Sequence, residues 1–110
     1  MSVSTTIDVI AEPSRRHILD ELRSGERPVH AIVERLAMSQ PAVSKHQRVL
    51  HNAGLVSVRP DGQRRLYSVC AEPLVQLDEW LEPYRCRMWR DSLDKLKDHV
   101  TESHPSRKRL

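Results

Sequence analysis

Residues 39–54, SQPAVSKHQRVLHNAG, bring together hydroxyl, amide, ammonium and guanidinium side chains at helical spacing. Val43, Gln47 and Leu50 fall on one face of such a helix, at positions i, i+4 and i+7. The other face carries Pro41, Ser44, Lys45 and Arg48. Donor groups of this kind contact base edges and phosphates. The segment is therefore predicted to be a helix that reads a nucleic acid, called the reading helix below.

The reading helix has sequence signals at both ends. Ser39 is a good N-cap residue, because its hydroxyl can accept a bond from a free N–H of the first turn. Pro41 falls in that first turn, where a missing N–H has little effect. Gly54 readily takes the left-handed conformation that ends many helices.

The positive charge of the chain is concentrated around this helix. The chain has 110 residues, a length that suits one domain covering residues 1–110, and its formal charge is +3. Residues 39–67 contain five lysines and arginines against one aspartate, a net charge of +4, so the remainder nets −1. This distribution favours a polyanion as the partner.

Several other classes of protein are disfavoured by the composition. No apolar run approaches the roughly 18 residues of a membrane span, and residues 1–10 lack a signal-peptide pattern, so a cytoplasmic protein without membrane contact is expected. The chain has only three glycines, no phosphate-binding glycine loop, no nucleophile elbow and no HExxH motif. It is predicted not to be an enzyme and to need no cofactor.

Three helices are predicted before the reading helix. A short helix covers residues 5–11, Pro13 opens the second, and Pro28 opens the third. A turn of about three residues after Leu36 then leads into the reading helix. Two helices joined in this way, the second polar on its outer face, form a helix-turn-helix.

A β-hairpin is predicted over residues 55–69. Two β-rich runs flank the turn signal Pro60-Asp61-Gly62. Its polar side chains are Arg59, Gln63, Arg64 and Arg65. A basic hairpin that directly follows a helix-turn-helix is a wing, which can reach phosphates or the minor groove beside the major-groove helix.

Residues 73–101 have the apolar spacing of a long helix that needs a partner. We predict that this helix and the short N-terminal helix form a homodimer interface. The predicted interface residues are Ile7, Ile10, Leu74, Leu77, Leu81, Tyr84, Met88, Trp89, Leu93 and Leu96. Pro83 is expected to kink or divide the helix, and residues 102–110 to form a flexible tail.

Five short segments then carry a resemblance to a known family. They are EPSRRHIL at residues 12–19, SQPAVSKH at 39–46, VL at 49–50, AGLV at 53–56 and GQRRLY at 62–67. With the element order, these motifs resemble the ArsR-type winged helix-turn-helix transcriptional repressors. LDEWL at residues 77–81, followed by Trp89, resembles a subgroup without an evident metal site.

The resemblance implies a mainly α fold with a small β-hairpin (α+β) and a DNA-binding core over residues 5–70. It also implies a homodimer on double-stranded DNA, at a pseudo-palindromic operator, with no obligatory small-molecule ligand. The residues expected to contact DNA are Ser39, Gln40, Pro41, Ser44, Lys45, His46, Arg48, Arg59, Gln63, Arg64 and Arg65.

Two departures from the family leave alternatives open. Many members have leucine at the position of Gln47, whose amide needs a hydrogen-bond partner if it is buried. The cysteines of metal-sensing members are missing from residues 28–33, although His99, Glu102 and His104 allow a metal-responsive repressor. Cys70 and Cys86, expected to be free thiols, allow a redox-responsive one, and a nonspecific architectural DNA-binding protein is the third alternative.

Overall fold

A computed structural model describes residues 2–99, except for the side chains of residues 86, 88, 89 and 93–99. Its elements, in chain order, are α1 (Val3–Ile10), α2 (Pro13–Leu22), β1 (Arg27–Pro28), α3 (Val29–Leu36), α4 (Gln40–Asn52), β2 (Val56–Asp61), β3 (Arg64–Val69) and α5 (Glu72–His99). The predicted class, mainly α with a small hairpin in a winged helix-turn-helix, is confirmed. The described residues form two compact units, which are divided between Glu79 and Trp80.

The first unit is built around one hydrophobic core. Its fully buried side chains include Ile18 of α2, Ile32 of α3, Leu50 of α4 and Leu55 at the start of the hairpin. Each helix contributes the apolar face that its spacing predicts, and the three faces meet. The core therefore fixes the reading helix against the two helices before it.

Side chains close several element ends in this unit. The Arg16 guanidinium donates to the carbonyl oxygens of Ile10 (2.7 Å) and Ala11 (3.1 Å), which end α1. Arg27 Nε donates to the carbonyl oxygen of Glu21 (2.7 Å) near the end of α2. These bonds satisfy carbonyl groups that have no partner inside their own helices.

The sheet has three antiparallel strands in the order β1-β3-β2, so β3 is central. The sequence predicted only the hairpin. The strand β1 was missed because two residues, one of them a proline, give no alternating pattern. The tight turn lies at Gly62–Gln63, while Pro60 and Asp61 still pair with β3. Pro60 is tolerated because β2 is an edge strand.

The helix α5 runs from Glu72 to His99 without interruption, so the division at Pro83 is wrong, and the kink stays a prediction. A proline removes one helical hydrogen bond, and here at least two full turns on each side keep the helical conformation. Within the second unit, the Trp80 and Tyr84 rings lie 5.3 Å apart between centroids. No helix within residues 2–99 is long and apolar enough to cross a bilayer. The predicted tail, residues 102–110, lies outside the described residues.

Candidate nucleic-acid interface

The start of α4 is fixed by its N-cap. The Ala42 N–H donates to Ser39 Oγ at 3.2 Å, and the Val43 N–H donates to the Ser39 carbonyl oxygen at 3.0 Å. Pro41 lies within the first turn. The predicted N-cap is confirmed, and the Ser39 hydroxyl keeps its own hydrogen free for another acceptor.

The inner face of α4 is completely buried. Val43 and Leu50 lie in the core, and Gln47 between them is only 1% exposed. The helical spacing of Val43, Gln47 and Leu50 therefore predicted correctly that Gln47 faces the core. Its buried amide has no hydrogen-bond partner among the described residues, at either Oε1 or Nε2.

The outer face of α4 is polar and reachable. Gln40, Lys45 and Arg48 are exposed, and Ser44 and His46 are half-buried beside them. Because the opposite face is held by the core, the helix cannot rotate without exposing apolar side chains. The donors therefore point outward in a defined direction.

The turn that precedes α4 contains the only described non-glycine residue with a positive φ. Ala37 ends α3 with φ 54° and ψ 39°, in the left-handed region. A side chain with Cβ is unfavourable there. This strained residue directs the chain from α3 into the reading helix.

The hairpin presents its tip to solvent. Every residue from 59 to 65 is exposed. Arg64 Nη2 forms an ion pair with Asp61 Oδ2 at 2.9 Å, whereas Arg65 forms none within residues 2–99. An exposed pair of this kind is weak and can exchange for a phosphate. Both arginines, with Gln63, are thus available on the wing.

Arg59, also expected at the interface, is engaged elsewhere. Its Nε and Nη2 donate to Glu26 Oε2 (2.7 Å) and Oε1 (3.0 Å), a two-bond fork. Bonding to Arg59 lowers the pKa of Glu26 against a smaller opposing effect of burial, and bonding to Glu26 raises the pKa of Arg59. Glu26 was not predicted, since nothing in the sequence relates it to a residue 33 positions later.

Glu12 is a second acidic residue that the sequence did not assign to the site. Its Oε1 accepts a 2.7 Å bond from the Ser14 N–H at the start of α2, and this bond is the main cause of its lowered pKa. Burial opposes the effect, while His46 on the reading helix and Arg15 add to it. An acidic residue directly before Pro13 was the available signal for this cap.

The residues predicted for a dimer interface fall into three groups. Ile7, Leu81 and Tyr84 are exposed, Leu77 is half-buried, and Ile10 and Leu74 pack against the core of the first unit. The side chains of Met88, Trp89, Leu93 and Leu96 lie outside the description. Val75 and Trp80 are further exposed apolar residues that the prediction left out.

The sensor alternatives receive little from the described residues. No three His, Cys, Asp or Glu side chains there are grouped to hold a metal ion. The His99 side chain, Glu102 and His104 lie outside the description, as does the Cys86 side chain. Cys70 is half-buried and its thiol is free. Its backbone N–H donates to the Leu55 carbonyl oxygen at 2.8 Å.

Together, the capped outward-facing helix and the basic hairpin beside it define a winged helix-turn-helix of the DNA-binding class. The profile of the bacterial regulatory proteins of the arsR family matches residues 12–58. The arsenical resistance operon repressor of Staphylococcus xylosus is 34% identical over 80 residues, which cover 73% of this chain and 77% of the relative. The chain belongs to the arsR family of transcriptional regulators.

Two further comparisons agree with this assignment. The HTH-type transcriptional regulator NmtR of Mycobacterium tuberculosis is 41% identical over 75 residues, which cover 68% of this chain and 62% of NmtR. A crystal structure described as a possible transcriptional regulator for arsenical resistance is 38% identical, with a TM-score of 0.65. That match covers 87% of this chain and 96% of the solved one. The expected resemblance to ArsR-type regulators is confirmed.

Proposed function

We propose that the chain is a sequence-specific transcriptional repressor that binds a pseudo-palindromic operator as a homodimer. The observation that carries the proposal is the outer face of α4, whose donors are oriented by a capped helix and a buried inner face. The repressor name printed for the relative from S. xylosus supports the same role. Repression would come from occupying a promoter, without any chemical step.

The proposed contacts divide between the helix and the wing. Gln40 and Ser44 reach base edges in the major groove, with Ser39, Pro41 and His46 around them. Lys45 and Arg48 bind phosphates beside the groove, because both are exposed cations on the same helix. Gln63, Arg64 and Arg65 bind phosphates or the minor groove from the wing. Arg59 is left out of these contacts, because its Nε and Nη2 already bind both carboxylate oxygens of Glu26.

The proposed dimer is supported by exposed apolar side chains on α1 and α5. Ile7, Leu81 and Tyr84 are each 40% exposed or more. Exposed apolar side chains of this size are removed from water in a subunit interface. Light scattering at micromolar concentration should give twice the chain mass, and a mass of one chain would exclude the dimer.

Selection of bound fragments from genomic DNA tests the proposed function most fully. A repressor should recover fragments with a common palindrome and prefer them by at least roughly 10³ over bulk DNA. Footprinting should then show two protected half-sites. Recovery without a common sequence would favour an architectural DNA-binding protein instead.

The same selection tests the sensor alternatives when it is repeated with zinc, with a chelator and with an oxidant. A repressor without a metal or redox signal should recover the same fragments in all arms. Loss of recovery with zinc would indicate a metal-responsive repressor, and loss with the oxidant a redox-responsive one.

A further inference from the structure

The ion pair between Glu26 and Arg59 joins the two outer strands of the sheet. Glu26 immediately precedes β1, and Arg59 lies on β2. Because β3 lies between these strands, the bond must cross the central strand. No backbone pairing connects β1 with β2, so this fork is a direct link between the body of the first unit and the edge of the wing.

The link lies over an apolar side chain that the main core does not contain. Leu66 on β3 pairs with Arg59 on one side and with Pro28 on the other, so the three residues share one face of the sheet. Leu66 is only 8% exposed, yet it is not a member of the main core cluster. The long stem of Arg59 can cover such a residue while its guanidinium reaches Glu26.

The link also stands at the base of the exposed hairpin tip. Arg59 begins the run of exposed residues 59–65, whereas Val56 at the start of β2 is buried. Beyond Arg59, the tip is held by pairing between β2 and β3 and by the exposed Asp61–Arg64 ion pair, and Pro60 donates no bond there. The orientation of the tip, which carries Arg64 and Arg65, therefore depends on what fixes its base.

The geometry points to Glu26 and Arg59 as a positioning pair for the wing, and we propose that it sets DNA affinity without touching DNA. The inference rests on the proposed function, since it assumes that the wing binds phosphates. The two-bond fork uses both carboxylate oxygens and leaves Arg59 poorly placed to bind a phosphate in the same way. Glu26 is not among the residues predicted to contact DNA, and the proposal makes it a determinant of DNA affinity.

Charge and positioning predict different results for the same two substitutions. Glu26→Gln makes the protein more positive, and Arg59→Gln makes it less positive. If only charge matters, the first should strengthen binding to a polyanion and the second should weaken it. If the pair positions the wing, both should weaken binding, because each removes the same link.

The test measures binding of a labelled mixed-sequence duplex by fluorescence anisotropy over a range of salt concentrations. We expect Glu26→Gln and Arg59→Gln each to weaken binding by roughly fivefold, and the double variant to be no weaker than either. The slope of log K against log salt should fall by the same amount in both variants, because each loosens the same phosphate contacts of the wing. The exchanged variant Glu26→Arg with Arg59→Glu should recover most of the affinity.

Arg35→Gln provides the matched control. Arg35 also forms an exposed ion pair, with Glu21 at 2.9 Å, and its side chain is 61% exposed against 58% for Arg59. This pair joins α2 to α3 and includes no residue of the hairpin, so its loss should leave binding unchanged within about twofold. Thermal unfolding of each variant shows whether the fold is retained.

Two results would overturn the inference. Stronger binding by Glu26→Gln, with a slope reduced by about 0.9 in Arg59→Gln, would make Arg59 a phosphate contact. Wild-type affinity in both variants would show that the pair has no role in binding. If the wild-type chain itself bound no duplex, the proposed function would fail rather than the positioning of the wing.

Discussion

The reading helix and the wing meet the same requirement, a fixed orientation toward DNA, by different physical means. The helix α4 is fixed by burial, with Val43, Gln47 and Leu50 all at 1% exposure or less. The hairpin tip is entirely exposed over residues 59–65 and is attached through backbone pairing and one ion pair at its base. Burial fixes side chains as closely as base recognition requires, whereas a phosphate contact carries no sequence information.

This comparison gives α4 the sequence-specific role and the wing the sequence-independent one. Base readout requires donors within hydrogen-bond distance of particular atoms on a base edge. Phosphates repeat along the duplex, so an arginine of the wing finds one whatever the base sequence. Substitutions in the two regions challenge this division, and their expected effects range from several kcal/mol to a small change in Tm.

Leu50→Ala should show how far the reading helix depends on burial. Leu50 is fully buried, so the substitution should lower the free energy of unfolding by about 2–5 kcal/mol. Urea unfolding followed by circular dichroism measures the change. Arg48→Ala, two residues away and exposed, is the control and should alter stability by less than about 0.5 kcal/mol while weakening DNA binding. Equal stability losses in the two variants would refute the buried orientation of α4.

Gln47→Leu tests the most unusual residue of that face. A buried amide without partners destabilises a fold, and leucine fills a similar volume without polar atoms. The variant should gain about 1–3 kcal/mol in free energy of unfolding, again by urea unfolding. The exposed residue Gln40, replaced in the same way, should change stability by less than about 0.5 kcal/mol. A clear loss of stability in Gln47→Leu would mean that the amide is hydrogen-bonded.

The turn before α4 and the turn of the wing can be compared by two opposite substitutions between alanine and glycine. Ala37 and Gly62 both have left-handed backbone angles, φ 54° and 64°, but only the second is a glycine. Ala37→Gly should stabilise the fold by about 0.5–1 kcal/mol, and Gly62→Ala should destabilise it by about 1 kcal/mol. A Cβ at Gly62 meets no atom within 4 Å, so backbone strain alone acts there. Thermal unfolding measures both, and changes of the same sign would contradict this explanation.

The smallest effect concerns Glu12, whose charge lies beside the reading helix. Its pKa is lowered from 4.5, chiefly by the Ser14 N–H, so the ionised form stabilises the folded state. That contribution is complete above the ordinary pKa and is lost as the pH falls through the lowered value. Glu12→Gln should therefore have a lower Tm than wild type near neutral pH, with the difference closing under acid conditions.

Thermal unfolding across that pH range provides the measurement for Glu12. Glu34→Gln, an exposed glutamate on α3, controls for the change in net charge alone. A Tm difference for Glu12→Gln that stays constant as the pH falls would contradict the role of the carboxylate charge.

The sequence predicted the elements whose residues follow a period, and it missed contacts between distant residues. The buried side of α4 followed from the spacing of Val43, Gln47 and Leu50, and the N-cap from Ser39 alone. The strand β1 and the Glu26–Arg59 pair arise only when the chain folds back on itself, so local spacing carries no sign of them. The continuous α5 shows the opposite failure, because the local rule allowed a division at Pro83 that does not occur.

The most direct test of the division between helix and wing compares Arg65→Ala with Gln40→Ala. Arg65 is the wing arginine without an ion pair in the described part of the chain, and Gln40 lies on the outer face of α4. Affinities for a selected genomic site and for a mixed-sequence duplex should be measured over a range of salt concentrations.

Arg65→Ala should weaken binding to both duplexes alike and reduce the salt slope by about 0.9. Gln40→Ala should keep the slope and reduce only the preference for the selected site, by about 1–3 kcal/mol. The same uniform loss in both variants would contradict the assignment of sequence recognition to α4 and phosphate contact to the wing.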